Sequence, residues 1–464
     1  MFHQVLLAVS VPQISLLNFI SLAGLPVFVG LCWLMSSHRR KINWRLVATG
    51  IALQLVVAAI LFNSQSWTFP DSDGADRFQR GILFYGVEQF FGAIQKYVAA
   101  GSEFVFRTPV GEGDVHHPLI LLKSFAFGVL PTVIFFASLM SVLYYVGIMK
   151  WVVQAMAWVM QRVMGTSGAE SLSAAANVLV GQTEAPLVIR PYVALMTKSE
   201  LNALMIGGFA TISGSLMAIF VSRGISAGHL LTASIISAPA ALVVAKLLQP
   251  ETEQPLTMGT VSTKFESDAV NVIDAAAQGA SEGMRLAINV TAMLIAFLAI
   301  IALLDSILYG LGEIAERIVN SIRGGEFAFD FQWSMNGLFG LLFYPLAWIM
   351  GIESGDCRIS GQLLGTKMVA NEFVAYMDLA NVVDTMKQNN PSAASLTDRS
   401  QLILTYALCG FSNFASIGIQ IGGIGALAPE RRGELAQLGL RAMFGGMIAC
   451  CMTACVAGFL YGIL

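Results

Sequence analysis

Along the chain, charged residues stop and restart so as to leave long apolar runs at residues 4 to 37, 46 to 70, 124 to 149, 201 to 222, 224 to 245, 286 to 304, 400 to 429 and 442 to 464. A helix rises about 1.5 Å per residue and a bilayer's hydrocarbon core is about 30 Å thick, so runs of about 20 residues can cross it. Backbone polar groups in lipid must be satisfied within the segment, which selects helices. The pattern predicts an all-α polytopic membrane protein with eight transmembrane helices. The first run has no charged n-region and no small-residue cleavage site, and basic residues follow it, so it reads as a retained helix. Three further runs, 81 to 101, 151 to 166 and 331 to 352, are interrupted, aromatic or amphipathic and read as interfacial helices. In the first of them Phe84, Val87, Phe90 and Phe91 recur at helical spacing, with Glu88 and Lys96 between.

Two segments, 167 to 198 and 354 to 380, fit neither class. Each is rich in small residues and holds a carboxylate in its middle, Glu184 in one and Glu372 in the other. Each reads as a re-entrant hairpin of two helical arms, about ten residues long, around a polar tip at 181 to 186 or at Asn371-Glu372. Ten helical residues reach about 15 Å, half the core. The two halves also repeat: an interfacial helix, a Glu-bearing hairpin, then two spans. The first span after each hairpin carries a small polar cluster, Gly207-Gly208-Phe209-Ala210-Thr211-Ile212-Ser213 in one and Gly410-Phe411-Ser412-Asn413 in the other. Counting crossings makes the first hairpin open inward and the second outward. Inverted repeats with broken helices meeting near the midplane are the signature of a secondary transporter, with its site at their interface.

Composition agrees: 56% of residues are hydrophobic and 12% charged, which excludes an ordinary water-soluble domain. The formal net charge of -3, without a long basic block, gives no footprint for nucleic acid. Lys and Arg favour cytoplasmic loops. His38, Arg39, Arg40, Lys41 and Arg45 follow the first span, whereas Asp71, Asp73 and Asp76 follow the second, which puts the N-terminus outside. Eight crossings then put Arg190, Lys198, Arg431, Arg432 and Arg441 inside, and the mixed segment 305 to 333 and the C-terminus outside. Glu251, Glu253, Glu266, Asp268 and Asp274 fall in a loop placed inside; acidic residues count little in this rule. The expected domains are an N-terminal scaffold over 1–148, a first transport repeat over 149–248, a further scaffold segment over 249–330, and a second transport repeat over 331–464.

An embedded carboxylate is costly enough that function is its default reading; the alternative for Glu184 and Glu372 is a structural ion pair with Arg190 or Lys367. Single Ser, Gly and Ala residues in membrane helices more often serve close packing. Cys32, Cys357, Cys409, Cys450, Cys451 and Cys455 have no metal-ligand spacing and read as apolar packing. His116, His117 and His229 show no metal pattern, and the sequon at Asn289 lies inside a span. No HExxH and no facing Asp pair is present, so an enzyme is not expected and no residue is assigned a catalytic role. A passive channel or a receptor would share the site without coupling.

Four stretches closely resemble the concentrative nucleoside transporter family: Gly181-Gln-Thr-Glu-Ala-Pro-Leu-Val-Ile-Arg-Pro-Tyr192, Gly207-Gly-Phe-Ala-Thr-Ile-Ser-Gly214, Asn371-Glu-Phe-Val-Ala-Tyr376 and Ala407-Leu-Cys-Gly-Phe-Ser-Asn-Phe-Ala-Ser-Ile-Gly418. The resemblance implies a homotrimer in the cytoplasmic membrane that imports a nucleoside by an elevator-like movement, coupled to sodium, with no organic cofactor. It assigns nucleobase contacts to Gln182, Thr183 and Glu184, and ribose contacts to Glu372, Asn413 and Ser416, with Phe411 nearby. The chemistry agrees, because carboxylates accept from vicinal hydroxyls and a base edge mixes donors with acceptors. It assigns sodium to the side chains of Asn177 and Thr211 and the carbonyls of Val180 and Ile212; Thr211 stands where a serine is common and keeps the hydroxyl. The intact Gln182-Thr183-Glu184 tip favours sodium, the alternative being a proton-coupled nucleoside symporter. Purine or pyrimidine preference turns on side chains near Leu216 and the first tip.

Overall fold

The computed structural model describes residues 15–63, 82–106, 130–258, 269–323, 332–387 and 396–463. His116, His117, Asp71, Asp73, Asp76, Glu266 and Asp268 lie outside the described residues, as do 4–14, 64–70 and 124–129 of the expected spans and 324–331 of the mixed segment. The apolar runs fold as helices α1 (Leu16–Leu34), α2 (Trp44–Asn63), α3 (Ile82–Phe106), α4 (Leu130–Val146) and α5 (Ile148–Met164). The first hairpin is α6 (Gly168–Asn177), α7 (Ala185–Val188) and α8 (Arg190–Val193), followed by α9 (Lys198–Ala210), α10 (Gly214–Ser222) and α11 (Ala227–Leu248). Then come α12 (Val272–Arg323), α13 (Met335–Leu342), α14 (Tyr344–Ile349), the second hairpin α15 (Cys357–Val369) and α16 (Glu372–Lys387), and α17 (Asp398–Ala407), α18 (Phe414–Leu427) and α19 (Arg432–Leu460). No strand occurs among the described residues.

Among the described residues, six helical stretches are long and apolar enough to cross a membrane, or seven if the bent pair α4 and α5 is one span. The expected span over 400 to 429 is divided between α17 and α18, each too short to count alone. At Gly147, whose φ of +89° suits a residue without Cβ, the chain turns 78° from α4 into α5. Beyond that corner α5 buries Val153, Ala157, Met160 and Met164 and exposes Trp151 and Trp158, the two-faced pattern of an interfacial helix.

Several expectations are corrected. The segment over 286 to 304 is not a separate span followed by a mixed loop: α12 runs unbroken for 52 residues, about 78 Å at 1.5 Å per residue, and its apolar candidate span is Leu298–Ile322. Acidic and basic residues within 305–323 therefore decorate a helix. The interfacial segment over 331 to 352 is two short helices meeting at Phe343, two residues before Pro345. The first hairpin's return arm is not one helix. Pro186 and Pro191, which lack an N–H, each stand at the start of a four-residue piece.

The repeat is visible in the caps. Thr197 and Thr397 cap α9 and α17, and Ser213 and Asn413 cap α10 and α18. Each polar side chain accepts a free N–H of the following helix, so each cluster read as an interruption ends one helix and starts the next. The two interruptions touch. Ser412 Oγ donates to the Phe209 carbonyl at 2.9 Å, and a Cβ on Gly410 would lie 2.7 Å from that same oxygen. Around them α19 packs against α1, α9, α11, α17 and α18, while α12 packs chiefly on α4. All six cysteines are buried free thiols, as their apolar setting predicts.

Candidate functional site

The broken helices and the hairpin tips enclose one cavity of about 540 Å³, whose lining includes Gln182, Thr183, Glu184, Glu372, Phe411, Asn413 and Ser416. All seven residues assigned to substrate from the sequence thus border one space. The first tip reaches it because two backbone N–H groups, of Glu184 and Ala185, bond the Gly181 carbonyl at 3.1 and 3.0 Å. The second reaches it because Glu372 opens α16, with Asn371 Oδ1 accepting the Val374 N–H at 2.9 Å.

Across the cavity Asn413 Nδ2 donates to Glu372 Oε2 at 3.0 Å, and Asn413 Oδ1 accepts the Ser416 N–H at 2.9 Å. Gln182 Nε2 donates to Ser416 Oγ at 3.1 Å. These bonds link the first hairpin, α18 and the second hairpin. Neither carboxylate is taken by the basic residue nearest in sequence: Lys367 Nζ donates to the Ala407 carbonyl at 2.9 Å, and Arg190 is exposed. Ionised carboxylates accept only, and Gln, Asn and Ser can donate, so the lining can meet both hydroxyls and a mixed base edge.

The four positions assigned to a cation lie where the first tip meets the break between α9 and α10. Gly214 N–H donates to the Leu179 carbonyl at 3.1 Å, and a Cβ on Gly207 would sit 3.2 Å from Asn177 Nδ2. Asn177 is buried, yet among the described residues neither its Oδ1 nor its Nδ2 has a hydrogen-bond partner. An unsatisfied buried polar group costs about 1–3 kcal/mol, so such a side chain calls for a partner. Thr211 Oγ1 donates to the Gly207 carbonyl at 2.9 Å, which leaves its lone pairs to accept. The carbonyls of Val180 and Ile212 accept no hydrogen bond among the described residues. Neutral oxygens at unwound helix ends suit a small hard cation.

Some lining residues escaped the sequence reading. Glu282, Arg285, Leu286 and Asn289 of α12 border the cavity, as does Phe373. Positions 282, 285, 286 and 289 form a helical stripe of i, i+3, i+4 and i+7, which was the available signal. His229 is not isolated: its Nδ1 lies 3.1 Å from Tyr406 Oη.

Family models described as Na+ dependent nucleoside transporter N-terminus, Nucleoside recognition, and Na+ dependent nucleoside transporter C-terminus match residues 23–68, 126–227 and 229–458. The chain is 40% identical over 445 residues to solute carrier family 28 member 3 of Eptatretus stoutii, covering 94% of this chain and 60% of that protein. It is 38% identical over 454 residues to sodium/nucleoside cotransporter 1 of Mus musculus, covering 96% of this chain and 64% of that one. It thus spans less than two thirds of these vertebrate relatives. It is also 40% identical over 444 residues to an uncharacterized transporter of Haemophilus influenzae, covering 96% and 98%. Among solved structures it resembles CNTnw in an inward-facing substrate-bound state (TM-score 0.78, 37% identity, covering 96% of this chain and 98% of that one). A variant of CNTnw in an outward-facing state gives a TM-score of 0.79 at 36% identity, covering 97% and 99%. With its helices, broken spans and apolar segments arranged in this way, the chain is a multi-pass membrane protein, not an enzyme, and belongs to the concentrative nucleoside transporter family.

Proposed function

We propose that the protein is a secondary active symporter that imports nucleosides across the cytoplasmic membrane, driven by sodium. The carrying observation is the cavity itself, where donors and acceptors from both hairpins and α18 converge. Gln182, Thr183 and Glu184 read the base; Glu372, Asn413 and Ser416 hold the ribose beside Phe411. Asn177, Thr211, Val180 and Ile212 hold sodium. One charge entering with a neutral nucleoside gains about 2.3 kcal/mol per 100 mV, enough for useful accumulation.

In this reading the hairpins are re-entrant, both termini lie outside, and the two repeats, 149–248 and 331–464, move as one body. Scaffold helices α4 and α12, which pack on each other, stay fixed, together with α3. Chain order puts α1 and α2 with the scaffold. We propose that they travel with the moving body instead, a reading supported by their bonds: Asn18 Nδ2 donates to the Phe459 carbonyl at 2.8 Å, Arg399 to Ser21 Oγ at 2.9 Å, and Gln54 Nε2 to Thr453 Oγ1 at 3.1 Å. The exposed apolar face of α12, only 6% buried over its candidate span, is available to lipid and to further copies in a homotrimer.

The test is radiolabelled uridine uptake in proteoliposomes. Uptake is expected to fall to background when choline replaces sodium at fixed pH. Uptake driven by an acidic exterior without sodium would establish proton coupling in its place, and failure to accumulate above equilibrium would mean a passive channel or receptor.

A further inference from the structure

We infer that Gln420 is a positioning residue that fixes the Gln182 amide as a hydrogen-bond donor toward the nucleobase, and thereby sets which base edges are accepted. The inference rests on the nucleoside reading above. Gln420 lies on α18, is buried and does not line the cavity. Its Nε2 donates to the Met205 carbonyl at 3.1 Å and to Gln182 Oε1 at 3.0 Å.

The two ends of a side-chain amide are alike in shape, so their orientation must be decided by a partner whose role is fixed. A backbone carbonyl can only accept. The Met205 carbonyl therefore holds the Gln420 NH₂ group toward α9, and the second N–H of that group demands an oxygen from Gln182. The Gln182 NH₂ is then turned the other way, where Ser416 Oγ accepts one of its protons at 3.1 Å. Its second proton remains for the cavity that Gln182 lines. Ser416, having accepted, is left with its own hydroxyl proton to give. The base wall thus offers a donor at Gln182 beside the acceptor carboxylate of Glu184. Space for the pair comes from Gly208, where a Cβ would meet Gln420 Nε2 at 2.8 Å and Gln182 Cβ at 2.9 Å.

Without Gln420, nothing in this relay distinguishes the two ends of the Gln182 amide, and a terminal amide torsion turns over at small cost. Uridine and cytidine provide the contrast. One presents a carbonyl beside a ring N–H, the other an amino group beside an unprotonated ring nitrogen. Uptake KM for both is measured in proteoliposomes for the unsubstituted protein, Gln420→Met, Gln182→Met and the double variant, with the uridine-to-2′-deoxyuridine ratio and the half-saturating sodium concentration as controls. Gln420→Met is expected to shift the uridine-to-cytidine KM ratio by about fivefold or more, the scale of one hydrogen bond. Both controls are expected to stay within about twofold. On the Gln182→Met background the same change is expected to add nothing, because coupled residues are not additive. An unchanged ratio, or an equal rise in both KM values as from a merely structural residue, would overturn the role of Gln420. Absence of uptake of either nucleoside by the unsubstituted protein would instead overturn the nucleoside reading itself.

Discussion

Asn413 and Glu372 stand 41 positions apart and bond across the cavity, Nδ2 to Oε2 at 3.0 Å, so the cap of α18 also orients the carboxylate that opens α16. Each restricts the other's rotamers. Both residues line the cavity.

This geometry gives the first expected outcome. Glu372→Gln keeps the shape but replaces a charged acceptor by a neutral amide, and hydrogen bonds to charged groups contribute about 1.5–3 kcal/mol. The KM for uridine is expected to rise at least tenfold in proteoliposomes. Retained wild-type affinity would refute the ribose assignment.

Asn177 yields a prediction of opposite signs for stability and coupling. Its amide is buried without a partner among the described residues, so Asn177→Ala removes an unsatisfied group. Thermal stability without sodium is expected to stay level or rise, while the stabilisation conferred by sodium disappears. Melting curves with and without sodium measure both. In the unsubstituted protein, sodium should raise nucleoside affinity by the same factor as nucleoside raises sodium affinity.

The close approach of the two helix breaks predicts that Gly410→Ala is destabilising. The added Cβ would meet the Phe209 carbonyl oxygen at 2.7 Å and Cys450 Sγ at 2.6 Å, and the former is backbone that cannot swing aside. Overpacking of this kind costs about 1–3 kcal/mol, to be read as a lower melting temperature in detergent. An unchanged melting temperature would show that the breaks separate easily.

At the base of the first hairpin, Lys246 Nζ lies 2.7 Å from Glu170 and 3.1 Å from Glu251. Ser167 Oγ donates to Glu200 at 2.5 Å beside them. Lys246→Met would leave the buried Glu170 carboxylate without its cation, a loss of about 3–5 kcal/mol. Adding Glu170→Gln to Lys246→Met is expected to restore part of that stability. If the double variant is no more stable than Lys246→Met alone, the ion pair is not what holds this end.

Much of this molecule was legible in one dimension. Apolar runs long enough to cross a bilayer predict helices because lipid leaves the backbone no other partner. The Thr, Ser and Asn caps and the prolines mark the ends of helices because they supply or lack a hydrogen bond locally. The hairpin tips and the repeated clusters could be named from residue type and order, and the seven residues that border the cavity from the resemblance of four stretches to a known family. Hydropathy could not reveal that α12 continues through its charged residues, because i, i+4 bonding continues wherever no breaker intervenes. Nor could it reveal that the chain corners at Gly147 rather than at another glycine.

The sequence alone therefore determined that the apolar runs are helices and which segments carry polar caps and tips, since both follow from local transfer costs and local capping. Only the tertiary structure decided that Gln182 meets Gln420 across 238 positions, that the stripe at Glu282, Arg285 and Asn289 faces the same cavity, and that Asn177 is left without a partner. Those relations depend on how distant helices are set against one another, and a hydrogen bond between residues far apart in the chain leaves no periodic trace in either segment.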